Sequence, residues 1–154
     1  GLGGDLIKLL KLNCVVTAFE QSPVVFALLQ DADRRARLDP RWVTGGGARL
    51  QLRFGEASIE LTQLDSKACE VIYLDPMFGD KNKTALSKGE MQILQQLLSE
   101  PEEDQALLNL WEVARAKSLR RVVLKRSRLG AHLSVKPDLE FVGKSVRYDI
   151  WLKA

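Results

Sequence analysis

With 154 residues, 45% of them hydrophobic, the chain has the length of one domain and enough apolar content for a real core. No stretch is long and apolar enough to cross a membrane as a helix, and neither a membrane anchor nor a leader segment is expected. The formal net charge of +3 is compatible with a polyanionic partner but does not require one.

The first residues, Gly1-Leu2-Gly3-Gly4-Asp5, form a glycine turn. Leu6, Leu9 and Leu10 follow at helical spacing and predict a short helix over 6–12. Val15 to Phe19 then predict a buried strand that runs into Glu20. A glycine loop, a helix, a strand and an acid about twenty residues downstream make a nucleotide-binding arrangement. In it Gly1 and Gly3 let the backbone approach the ligand, and Glu20, with Gln21 beside it, meets the ribose hydroxyls. The same glycines would also serve as a plain tight turn. A loop of this kind normally follows a strand in mid-sheet, so the expectation is an N-terminally truncated domain over 1–154 whose first strand lies upstream. Cys14 and Cys69 lack metal-ligand spacing and are expected as two buried, reduced thiols, which places the protein in the cytoplasm without a disulfide or a metal.

Gln21 to Asp39 predict a helix, with Ser22 as N-cap, Pro23 at its first position, Val24, Leu28 and Ala32 as its apolar face, and a charged end over 31–37 closed by Pro40. Residues 42–47 predict a glycine-rich loop. Leu50 to Phe54 alternate like a strand. Its carboxyl-end loop, Gly55-Glu56-Ala57-Ser58, is placed either to touch an adenine through Glu56, Ala57 or Ser58 or to cap a short helix over 59–64.

Val71-Ile72-Tyr73-Leu74 is too short for a helix and predicts a strand buried on both faces, ended by Asp75-Pro76. In open α/β sheets ligands bind beyond the carboxyl ends of the strands, which is where Asp75, Pro76 and Phe78 fall. A nucleobase amine is a poor nucleophile because its lone pair is delocalised into the ring. The Asp75 carboxylate and the Pro76 carbonyl would accept its two N–H groups and turn the lone pair toward an electrophilic methyl, with Phe78 stacked on the base. Acid-Pro-x-aromatic after a strand resembles the catalytic loop of amino-methyltransferases that use S-adenosylmethionine (SAM). A proline turn with a capping Asp and a core Phe is the structural alternative.

The loop over 79–88 carries Lys81, Lys83 and Lys88, which are candidates for RNA phosphates or for a solvated surface. Met91, Leu94, Leu97 and Leu98 predict a core-facing helix over 90–98, and acids at 102–104 open another helix that runs to about 117. Arg120 to Arg126 predict a strand. If it lies parallel to the Val71 strand, Lys125 and Arg126 share a rim with Asp75 and become candidate RNA-backbone contacts. His132 is expected to be incidental. Residues 140–143 and 146–152 predict a closing hairpin, with Arg147 and Asp149 on one face as an ion pair or with Arg147 as a substrate contact.

Taken together, these segments resemble a known family across nearly the whole chain. They are Gly1 to Asp5, Glu20 with Pro23-Val24-Val25 and Ala27-Leu28-Leu29, Ala57-Ser58, Tyr73 to Phe78 continuing into Lys81, Lys83 and Lys88, Val122-Val123 with Lys125-Arg126, and Arg147 to Ile150. The chain is similar to the ribosomal small-subunit methyltransferase J family, which methylates the N2 amine of a guanosine in 16S rRNA. Gly79-Asp80 and Val146 depart from the family pattern. The resemblance implies a Rossmann-like α/β fold with a mostly parallel, seven-stranded sheet and an antiparallel C-terminal hairpin. It also implies SAM as cofactor, S-adenosylhomocysteine as product, and 16S rRNA or the small ribosomal subunit as partner. Glu20 would sit on the cofactor ribose, the loop from Glu56 to Ser58 near its adenine, and Asp75 at the target amine. A DNA amino-methyltransferase and a non-catalytic nucleotide- or RNA-binding module are the alternatives.

Overall fold

The computed structural model describes residues 3–44, 49–65, 69–76 and 104–153. The chain divides into two compact units, Gly1–Glu60 and Leu61–Ala154.

In the first unit, helix α1 (Gly4–Lys11) leads into strand β1 (Val16–Glu20), helix α2 (Pro23–Ala36), the short helix α3 (Pro40–Thr44), strand β2 (Leu50–Phe54) and helix α4 (Ala57–Gln63), which runs on past the unit's end. Gly3 caps α1 with φ 81°, a left-handed conformation that glycine adopts without steric cost. A Cβ there would also lie 3.2 Å from Leu29 Cδ2. The carboxyl end of α1 turns through Asn13, itself left-handed at φ 64°. Arg49 closes that end by donating to the Leu10 carbonyl at 3.0 Å and to Asn13 Oδ1 at 3.1 Å.

Strands β1 and β2 pair in parallel from Val16↔Leu50 to Glu20↔Phe54. Ser22 caps α2, its Oγ accepting from the Val25 N–H, with Pro23 next in line as the sequence predicts. Along α2, Asp31 accepts from Arg34 at 2.8 Å and from Arg35 at 2.7 Å, and the Arg34 hydrogen bond, then that of Arg35, holds the Asp31 carboxyl below its ordinary value.

Several expectations for this unit need correction. The inward stripe of α2 is Val25, Phe26 and Leu29, whereas Val24, Leu28 and Ala32 are exposed. The apolar run from Val24 to Leu29 offers two stripes at four-residue spacing, and packing against the sheet selects one. Helix α2 ends at Ala36, and Pro40 opens α3 instead of closing α2, so residues 42–44 are helical. Ala57 and Ser58 form the first turn of α4 and not a loop. Strand β1 is half-buried rather than buried, and Cys14 is exposed and Cys69 half-buried, both as free thiols. Both cysteines sit at or beside strand ends, where neighbouring elements cover less of the chain.

Gly55 joins β2 to α4 at φ 153°, and a Cβ on it would come within 2.6 Å of Glu60 Oε1 and 2.7 Å of Glu60 Cγ. Gly55→Ala is therefore expected to destabilise the protein by about 1 kcal/mol or more, measured by urea unfolding, because backbone strain adds to the displaced Glu60. An unchanged midpoint would mean that the turn relaxes freely.

In the second unit, strands β3 (Cys69–Leu74), β4 (Ser118–Ser127), β5 (Leu139–Val142) and β6 (Val146–Leu152) form one sheet in the order β3-β4-β6-β5, with helix α5 (Asp104–Lys117) packed on β3 and β4. The β3–β4 pair is parallel, and β6 runs antiparallel to both β4 and β5, which gives the closing hairpin expected from the sequence. Ile72, Leu74, Val122, Leu124 and Trp151 share one buried face, and Trp111 of α5 meets Trp151 edge-on with centroids 5.5 Å apart. Strand β3 is buried on that face alone, with Val71 on the other side 45% exposed. Helix α5 packs on the face of Ile72 and Leu74, and the Val71 face is the more open one, so the expectation of burial on both faces does not hold. The described residues give six strands in two sheets, and the upstream strand expected to complete the seven implied by the resemblance is not among them.

Candidate functional site

Two sheet rims carry the predicted residues, one in each unit. In the first unit, Glu20 ends β1 and Gln21 follows it, while Gly55 and Glu56 follow its parallel neighbour β2, so the four residues share one carboxyl rim. The Gly55 N–H donates to the Glu20 carbonyl at 3.1 Å and locks the two strand ends together. The Glu20 side chain turns back at the end of β1, its Oε1 accepting from the Ser22 N–H at 2.8 Å. That bond orients a half-buried carboxylate, an acceptor suited to the hydroxyls of a ribose. Glu56 accepts through its carbonyl from Ile59 and Glu60 at the start of α4, and Ser58 donates its hydroxyl to the Glu56 carboxylate. The loop thus caps a helix, and Ala57 and Ser58 lie in that helix's first turn. Gly3 tops α1 in the left-handed conformation that lets bare backbone face a ligand. Gly1 lies outside the described residues.

In the second unit, Asp75 and Pro76 follow β3. The register Leu74↔Leu124 brings Asp75 beside Lys125 on β4, and Lys125 Nζ lies 3.0 Å from Asp75 Oδ2. The two side chains are 24% (Lys125) and 39% (Asp75) exposed, open enough for a ligand to reach. On the next strand Tyr148 stands opposite Lys125, and Phe141 of β5 stands opposite Tyr148. The parallel pairing expected of β3 and β4 is therefore present, and with it the shared rim of Asp75 and Lys125.

Two predicted RNA contacts are placed elsewhere. Arg126 is 6% exposed and turns to the buried face, because alternation along β4 sends it opposite to Lys125. Arg147 is 4% exposed and grips Asp149, itself 1% exposed, through two bonds, Nε to Oδ1 at 2.6 Å and Nη2 to Oδ2 at 3.0 Å. Its Nη1 donates to the Gly130 carbonyl at 3.2 Å, which ties down the turn after β4. The ion-pair reading of Arg147 is the one the structure shows, and a substrate contact is not. Phe78, Lys81, Lys83, Lys88 and the helix expected over 90–98 lie outside the described residues.

His132, Glu140 and Asp149 bring one ligand-type atom each within 4.8 Å of one another. Arg147 already engages both oxygens of Asp149, and His132 Nε2 meets Glu140 Oε1 at 3.1 Å. The candidate ligand atoms are thus already engaged by partners within the protein. The pairing of Lys125 with Asp75 was not foreseen, although the shared rim was. The signal available in the sequence was that the strand of Lys125 follows that of Asp75 in a parallel sheet, which sets their ends side by side.

A family profile described as Putative SAM-dependent methyltransferase matches residues 1–153. The Ribosomal RNA small subunit methyltransferase J of Neisseria meningitidis (serogroup C / serotype 2a) is 42% identical over 99% of this chain and 60% of its own length. Its counterpart in Laribacter hongkongensis is 45% identical over 98% of this chain and 53% of that protein. The chain thus spans between 53% and 60% of the length of these curated relatives. Among solved structures, a SAM-dependent methyltransferase from Neisseria gonorrhoeae matches with 37% identity and a TM-score of 0.75, covering 99% of this chain and 61% of that one. A conserved hypothetical protein from Streptococcus pyogenes, 15% identical, shares the fold with a TM-score of 0.62 over 100% of this chain and 81% of its own.

Proposed function

Because the chain belongs to the family of SAM-dependent methyltransferases, we infer that its protein transfers a methyl group from SAM to the exocyclic N2 amine of a guanosine in 16S rRNA. The observation that carries the reading is a carboxylate followed by a proline at a strand's carboxyl end, Asp75-Pro76, partly exposed and held by Lys125. The names of the curated relatives support an rRNA of the small subunit as the substrate class.

The first unit's rim suits the cofactor. Glu20 would accept from its ribose hydroxyls, Gly3 would offer bare backbone, and Gln21 and the turn at Gly55-Glu56 would border its adenine. Ala57 and Ser58 would reach it only through the first turn of α4. Once bound, SAM supplies the electrophilic methyl. The rest is positioning, which accounts for most of the acceleration when a cofactor carries the reactive group. Asp75 accepts one N–H of the amine and the Pro76 carbonyl accepts the other, which sets the lone pair perpendicular to the base. Asp75 need not be a strong base, because the amine becomes acidic only after it is methylated, and the carboxylate is then adjacent to take the proton. The guanine must be unstacked or single-stranded to reach this rim, and Phe78 would stack on it. Lys81, Lys83 and Lys88 are proposed to meet RNA phosphates. The whole of 1–154 is proposed to act as one methyltransferase domain, and the cytoplasm, where its substrate is made, as its location.

The test is methyl incorporation from labelled SAM into small-subunit RNA against DNA. Incorporation into RNA alone supports the reading, whereas incorporation into DNA would favour the DNA amino-methyltransferase. Glu20→Ala is expected to weaken S-adenosylhomocysteine binding about 10–100-fold by calorimetry, the worth of charge-assisted hydrogen bonds to a ribose. Unchanged affinity would remove Glu20 from the cofactor site, and binding of NAD in place of S-adenosylhomocysteine would point to a non-catalytic nucleotide-binding module.

A further inference from the structure

We propose that the Asp75–Lys125 pair reads the Watson–Crick edge of the acceptor base and selects guanine, an inference that rests on the methyl-transfer reading above. The pair is built by the sheet itself, since parallel register sets the two residues side by side and Lys125 Nζ lies 3.0 Å from Asp75 Oδ2. Followed from Asp75 to Lys125, it presents acceptor, acceptor and donor: Oδ1, Oδ2 and the ammonium. Guanine's edge presents donor, donor and acceptor in the matching order: N2–H, N1–H and O6. The carboxylate would span N1–H and the nearer N2–H, the Pro76 carbonyl would take the other N2–H, and Lys125 would donate to O6.

Adenine fails this pattern, because its ring N1 has a lone pair where the carboxylate needs a donor. Cytosine also fails, since its amine meets one carboxylate oxygen but its N3 lone pair faces the other. A site built to hydrogen-bond a substrate rejects analogues that leave its polar groups unpaired much more strongly than an apolar pocket does. Lysine offers three rotatable donors on a flexible stem, so holding Asp75 and donating to O6 are compatible.

The experiment compares guanosine with 2-aminopurine at the methylated position of 16S rRNA ligated around a synthetic segment. 2-Aminopurine keeps the 2-amine but lacks O6 and N1–H. Its altered nucleophilicity affects every variant equally and cancels in the ratio. The wild-type protein is expected to prefer guanosine by at least about 10³-fold in kcat/KM. Lys125→Met should narrow that preference about 10–100-fold, with S-adenosylhomocysteine binding unchanged by calorimetry. Lys125→Gln, which restores a donor, should recover most of the preference. A purely structural role for Lys125 would slow both substrates alike, so an unaltered preference in Lys125→Met overturns the proposal while leaving methyl transfer standing. Absence of methyl on guanosine with the wild-type protein would overturn both.

Discussion

Asp75→Ala is expected to reduce kcat for RNA methylation by about 10³-fold or more while S-adenosylhomocysteine affinity stays within about threefold. Loss of one positioned group that acts in the transition state costs about 10²–10³-fold, and loss of alignment of the amine adds to it. Asp75→Asn should fall between wild type and alanine. It keeps one acceptor oxygen but brings an NH2 that opposes both the amine and Lys125. A fall in kcat and kcat/KM together would locate the loss in the transition state, whereas a rise in KM alone would mean that Asp75 only holds substrate. Turnover retained in Asp75→Ala would remove this carboxylate from the mechanism.

Arg147→Ala is expected to lower the stability of the protein by about 3–5 kcal/mol in urea unfolding, the usual cost of stranding a buried charge. Asp149, at 1% exposure, would keep a carboxylate with both Arg147 bonds gone, and the Gly130 carbonyl would lose its donor as well. The charge-free pair Arg147→Met with Asp149→Leu should recover most of that loss, because replacing a buried ion pair by apolar side chains of similar volume is often neutral. A loss below about 1 kcal/mol in Arg147→Ala would show that water reaches the pair. The same substitution separates the two readings of Arg147, since a substrate contact would lower activity without lowering the unfolding midpoint.

Much of the fold was legible because its signals are local. Ser22-Pro23 announces a helix start by its own chemistry, Leu50 to Phe54 alternates over the span of β2, and the hairpin after Asp138 is set by two short runs around a polar turn. What depends on neighbours was not legible. The choice between the Val24 and Val25 stripes of α2 is made by the sheet beneath it, and the one-sided burial of β3 follows from the side on which α5 packs.

The site follows the same division. Asp75, Pro76 and Glu20 could be placed because strand ends are easy to find and ligands gather there. Lys125 and Arg126 are adjacent and both basic, yet strand alternation sends one to Asp75 and buries the other, and composition does not distinguish them. For Arg147, spacing alone suggested Asp149 as a partner, and burial of both decided between partner and substrate.

The most direct measurement is mass spectrometry of nucleosides from small-subunit RNA that has been isolated from cells lacking the gene and then incubated with the protein and SAM. The account predicts that N2-methylguanosine falls in the untreated RNA and is restored by the wild-type protein but not by Asp75→Ala. Unchanged N2-methylguanosine in the cells lacking the gene, or restoration by Asp75→Ala, would contradict it.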